Sequence, residues 1–414
     1  MARPAPIRLA GTIAAMAMCA AAATEAAAQD PSRVLNQQLQ LGDVISGVTL
    51  NVEDAAGEVP VTNTVGGNQL SGSVDGVALD LTSSQTLQGR AAATTAITLT
   101  GDTDGAVNAT TEARGNDLSA AAYGGDLSIE SSQTVGPTEV TAAATIGGPA
   151  PRLIGGASVS TTATANAAAL GATGSAVSGV VIQNSDAGVR ADTLAETQYI
   201  PATAEFISQS TGNQVAVNTW ANSGQALTLR QRQSGDVVTA STSANAGNAW
   251  DLAGRARATA NQAILYNQGG SVVVTTDQSN LSQVRATGVV TSYDFGAATA
   301  RAAATANDVS IGNNDRYVEI DNAQVNSGGV EATASFAGTN GYDTYVAAEA
   351  AGNTVIGYAC AECEGQIDAV NTQTNSGNVS ASATTTVAGS GRSVATSARA
   401  TGNSATFYVS GPGR

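Results

Sequence analysis

The feature that most restricts this chain is that it writes the same thing many times. The segment QVNSGGVEATASFAGTNGYDTYVAAEAAGN, from Gln324 to Asn353, is followed by a near copy, QTNSGNVSASATTTVAGSGRSVATSARATGN, from Gln373 to Asn403. Aligning on a glutamine before a small-residue turn gives Gln40, Gln85, Gln133, Gln183, Gln233, Gln278, Gln324 and Gln373, at gaps of 45 to 50 residues. A second mark falls inside each module, at Asn68, Asn116, Asn166, Asn213, Asn261, Asn307, Asn353 and Asn403. The step from Asn to the next Gln is 17 or 20 residues, while the step from Gln to Asn varies from 28 to 33. A rigid half thus alternates with a half that tolerates insertions, and about eight modules of about 48 residues predict a repeat architecture.

Within modules the apolar period is two. Val330, Ala332, Ala334 and Phe336 alternate with Glu331, Thr333 and Ser335, which is the signature of half-buried strands. Three residues before each Asn stands a small or modest side chain, such as Ala113, Ala163, Ala258 or Ala400, and the residue before that is mostly polar. Small inward residues at matched places imply a thin interior, so the expected fold is all-β: a right- or left-handed β-solenoid in which each strand pairs with its copy in the next coil. The sixteen Gln and Asn marks are then expected to form amide ladders that hold the stack. The strand pairs around Gln and around Asn read as related halves, which predicts two coils per module. An outer-membrane barrel is the rival fold, but its aromatic girdles are missing from a chain with 4% aromatic residues.

The N-terminus carries Arg3 and Arg8, an apolar stretch from Leu9 through Ala23, and Ala26-Ala27-Ala28 before Gln29. This predicts a secretory signal over 1–28 and one solenoid domain over 29–414. Lipid attachment through Cys19 is disfavoured by Met18 before it. No later segment has the apolar length of a membrane helix. The net charge of −16 excludes bulk electrostatic binding of nucleic acid. With 42% hydrophobic and 12% charged residues, polar disorder is not expected either.

Few residues can carry chemistry. There is no His, and all 17 basic residues are Arg, so the commonest acid–base group and the Schiff-base lysine are both missing. Cys360 and Cys363 are too few for a structural zinc site and, in an exported chain, are expected to form a local disulfide. Asp102-Thr103-Asp104-Gly105 and Gly124-Gly125-Asp126 are fragments of calcium loops without the remaining ligands. No metal, cofactor or catalytic residue is expected. A polysaccharide-processing β-helix enzyme is the less favoured reading, because its carboxylates would cluster in one module.

The pattern of Gln324, Asn326-Ser327-Gly328, Val330 and Ala332, together with Ala350, Gly352-Asn353 and Val355, resembles the holdfast attachment protein D family of stalked alphaproteobacteria. The modules are also similar to curlin repeats but twice as long. The resemblance implies a non-enzymatic anchor at the outer membrane and cell surface that tethers the adhesive holdfast polysaccharide. It further implies work alongside a fibre-forming attachment protein A and an export protein, attachment protein B. The alternative is a curli-like fibre subunit or a general solenoid adhesin. An exposed edge after Phe407-Tyr408-Val409 would leave room for self-association or for a partner strand.

Overall fold

The alternation of small apolar and polar residues becomes strand throughout. The computed structural model describes residues 31–315, 317–360 and 365–409, and no helix occurs among them. The fold is a β-solenoid. One circuit of the chain is represented by three strands, Leu79–Leu87, Ala91–Leu99 and Val107–Tyr123, which form a first, a second and a third face. Each strand pairs in parallel with its copies in the coils before and after. The first-face sheet has eight strands, beginning with Ser32–Gln40 and ending with Gln366–Asn375. In the middle of the stack the second and third faces run on as single long strands, such as Gly188–Trp220, Val237–Asn267 and Gln283–Asn313.

The register settles how many coils a module makes. Gln278 pairs directly with Gln324, and Asn261 with Asn307. Neighbouring strands are therefore one full module apart, and a module is one coil, not two. The related halves read from the sequence are two lobes of one circuit. The third face enters with Val107, Ala109, Thr111 and Ala113 inward, and leaves with Asn116, Leu118, Ala120 and Ala122 inward. Its alternation slips by one at Gly115-Asn116, where two successive residues both point in. The first half packs against the second face in one apolar cluster, and the second half packs against the first face in another.

That slip explains the small residue before every Asn. Position 115 and its equivalents are Gly67, Gly115, Ala165, Gly212, Ala260, Ala306, Gly352 and Gly402. The backbone pairing skips this residue from coil to coil, as at a stacked bulge. A Cβ added at Gly115 would lie 2.5 Å from the Ala165 backbone oxygen and 3.0 Å from Val135, so the waist is tight enough that only Gly or Ala stands at this position in any coil.

Candidate binding groove and the amide rows

Two rows of polar residues run along that waist. Along the first face, Gln85, Gln133, Gln183, Gln231, Gln278, Gln324 and Gln373 each donate through Nε2 to the Oε1 of the glutamine one coil earlier, at 2.7–2.8 Å. Each also donates to a backbone oxygen of the third face, as Gln133 does to Ala167 at 2.8 Å. The asparagines form a second row beside them. Asn68, Asn116, Asn166, Asn213, Asn261, Asn307 and Asn353 each donate through Nδ2 to the Oδ1 of the asparagine one coil later, at 2.7–2.8 Å, ending on Asn403. A further bond crosses to the first face, as from Asn166 to the oxygen of Asn184 at 3.0 Å. Both rows thus run the length of the stack with opposite donor directions and stitch the two walls together.

Two glutamines read into the first row belong elsewhere. The row begins at Gln38 and passes through Gln231, whereas Gln40 and Gln233 fall one step along, in register with Asn280, Asn326 and Asn375. The reason is the period of two: in Gln38-Leu39-Gln40 and Gln231-Arg232-Gln233 both glutamines face the same side, and only the neighbouring coil decides which one enters the row. Cys360 is buried at the end of a strand, and Cys363, with the bond expected between them, lies outside the described residues. The signal over 1–28 lies outside them as well. Asp102 of the first calcium-like fragment forms an ion pair with Arg152 at 3.0 Å, and Asp126 of the second accepts from the backbone of Ala176 at 2.9 Å.

The interior is filled by two apolar clusters and the amide rows, so a ligand has to be met from outside. An outer groove of about 500 Å³ lies where the second face turns into the third, across the later coils. Tyr199, Trp250 and Tyr342 line it, and Trp250 and Tyr342 meet edge to face with centroids 6.2 Å apart. Trp250 is 60% exposed and Tyr342 51%, which leaves both rings available. Between them runs a polar row. Asn340 Nδ2 donates to Asp294 Oδ1 at 3.4 Å, and Asn248 Oδ1 accepts from the Asp294 backbone at 3.3 Å. Arg152 lies over the Tyr199 ring at 5.4 Å and Arg392 over the Tyr342 ring at 5.3 Å.

Local sequence builds this groove. The pairing of Gly188–Trp220 with the next coil shifts register between Ile200 and Thr203, at the corner that carries Ile200 and Pro201 into the groove lining. Gly296 allows the Trp250 ring to lie flat, since a Cβ there would come within 2.9 Å of it. Gly341 does the same for Phe295, which is buried under the floor against Phe336 at 4.9 Å. Arg392 donates to Asp343 at 3.0 Å, and this hydrogen bond holds the Asp343 carboxyl below its ordinary value of 3.8. The groove was not visible as a motif, although Tyr199 and Trp250 stand about one module apart and Trp250 and Tyr342 about two. Large aromatics at the module period, in a chain otherwise built of small residues, are the signal that marks it.

Rings flanked by amides and a carboxylate suit a ligand with apolar C–H faces and many hydroxyl or amide groups. No curated protein and no solved structure matches the chain. The family model for holdfast attachment protein D matches residues 53–329, more than half of the 414. That span includes Tyr199, Trp250 and Asp294.

Proposed function

The chain belongs to the holdfast attachment protein D family, and on that premise we propose that it is a non-enzymatic cell-surface tether that grips the holdfast polysaccharide in the Trp250–Tyr342 groove. The exposure of these two large rings beside Asn248, Asp294 and Asn340 is the observation that carries the reading. Sugar C–H faces stack on the rings, and sugar hydroxyls exchange hydrogen bonds with the amides and the carboxylate. The coils position these groups along the stack at about 4.8 Å per coil, so an extended chain can be held at several points. The reading without catalysis draws on a sequence that has neither His nor Lys. Association with the outer membrane, and work beside attachment proteins A and B, follow from the family resemblance.

Binding of the purified protein to isolated holdfast polysaccharide tests the proposal. Trp250→Ala and Tyr342→Ala should each weaken binding about tenfold, equivalent to about 1.4 kcal/mol, with an unchanged β-rich spectrum. Trp220→Ala, an exposed ring away from the groove, should bind as the wild type does. Equal binding by all three variants would overturn the assignment.

A further inference from the structure

We propose that the two ends of the coil stack are complementary and that the protein assembles head to tail, the last coil of one copy receiving the first coil of the next. The argument begins with the direction of the amide rows. In the Gln row every side chain donates toward the first coil, and in the Asn row every side chain donates toward the last. The last coil therefore ends on Gln373 Oε1 as an acceptor and on Asn403 Nδ2 as a donor. The first coil presents Gln38 Nε2, bonded only to the Gln69 backbone, and the acceptor Asn68 Oδ1. Among the described residues no further coil continues either row. Carrying the register one coil onward sets Gln38 of the next copy against Gln373, and Asn68 against Asn403, with each donor meeting an acceptor. It also sets Gln40 against Asn375, whose row it already shares. The glutamine that falls outside the first amide row thereby gains an amide partner.

Charge and shape agree with this joint. The same register brings Arg33 of the next copy over Asp368, as Arg33 already lies over Asp80 within the chain. Phe407 is 38% exposed on the last coil. Beneath it lies Gly357, where a Cβ would come within 2.7 Å of the ring. Its counterpart in the first coil is Gly72, at which a Cβ would meet nothing within 4 Å. The Phe407 ring fits between two glycines, one from each copy. Val44 and Leu50 at one end and Val379 and Ala383 at the other are only partly buried, and the joint would cover them. Among the described residues no strand pairs with the outer edge of either end coil, and such parallel edges pair readily with further strands. A contact of one end with the other does not close on itself, so it generates filaments with a rise of about 38 Å per copy, eight coils of about 4.8 Å.

Substitutions that block one end test this without touching the groove, so the outcome is independent of polysaccharide binding. Gly72→Arg blocks the first coil and Phe407→Arg the last, and each purified full-length variant alone should be monomeric by sedimentation velocity and electron microscopy. Mixed in equal amounts they should stop at dimers, because each retains the end the other lacks. As a second pair, Arg33→Asp and Asp368→Arg should each associate at least about tenfold more weakly than wild type, and their mixture should recover filaments. Wild-type protein that remains monomeric at its highest soluble concentration would overturn the proposal. So would filaments that persist in both arginine-blocked variants.

Discussion

At the scale of single residues, the waist asparagines are the most exacting positions. Asn166 is fully buried, donates to Asn213 at 2.8 Å and to the Asn184 oxygen at 3.0 Å, and accepts from Asn116 at 2.8 Å. Asn166→Ala strands a backbone oxygen and two amides in a dry interior and should cost about 2–4 kcal/mol in chemical denaturation. Asn403→Ala at the open end should cost under about 1 kcal/mol, since water can replace what is lost. At the groove rim the relevant residue is Asp343. Its carboxyl is held below 3.8 by the Arg392 hydrogen bond, so the folded form binds its proton more weakly than the unfolded chain does. The contribution of the pair is therefore complete above pH 3.8 and is lost as pH falls through the lower folded value. A carboxyl-carbon NMR titration should show an Asp343 midpoint below 3.8, and Arg392→Ala should return it to the ordinary range.

Among the elements, strands and turns were legible to different degrees. The period of two announced the strands, and the period of about 48 announced that they stack, because a backbone edge repeated at equal spacing is satisfied by its own copy. The Asn row was legible in full, since each Asn stands alone next to a Gly or Ala. The Gln row was legible except at Gln40 and Gln233, where alternation leaves two equivalent candidates. The number of coils per module was not legible, because a slipped alternation inside one strand looks the same as two separate strands. The groove was hidden for a different reason: its residues lie far apart in sequence and converge only through the coil register. The turns between coils offer a direct test of local chemistry. Gly76, Gly124 and Gly174 have positive φ after the third face, and in the following coil Ala221 takes φ 60° at the same place. A left-handed backbone is strained for alanine, so Ala221→Gly should raise stability by about 1 kcal/mol in thermal unfolding.

For the whole molecule, the structure is a stack of equivalent coils, and the proposed function assigns rigidity to the rows and recognition to the groove, which makes the two separable. The amide rows and the two lobes recur in every coil, while the aromatic groove belongs to the later ones. Strand-to-strand contacts join only neighbouring coils, so removing one full coil leaves a shorter stack whose rows remain in phase. Deleting residues 85–132 joins Ser84 to Gln133, the register partner of Gln85, and leaves the groove untouched. Deleting residues 231–277 joins Arg230 to Gln278, the register partner of Gln231, and removes Asn248 and Trp250. The decisive measurement is polysaccharide binding by these two variants, with their unfolding followed in parallel. Both should keep a β-rich spectrum and unfold within about 5 °C of each other, and the first should bind as wild type while the second loses at least about tenfold in affinity. An unfolded first variant would contradict the stack of equivalent coils, and equal binding by two folded variants would contradict the groove.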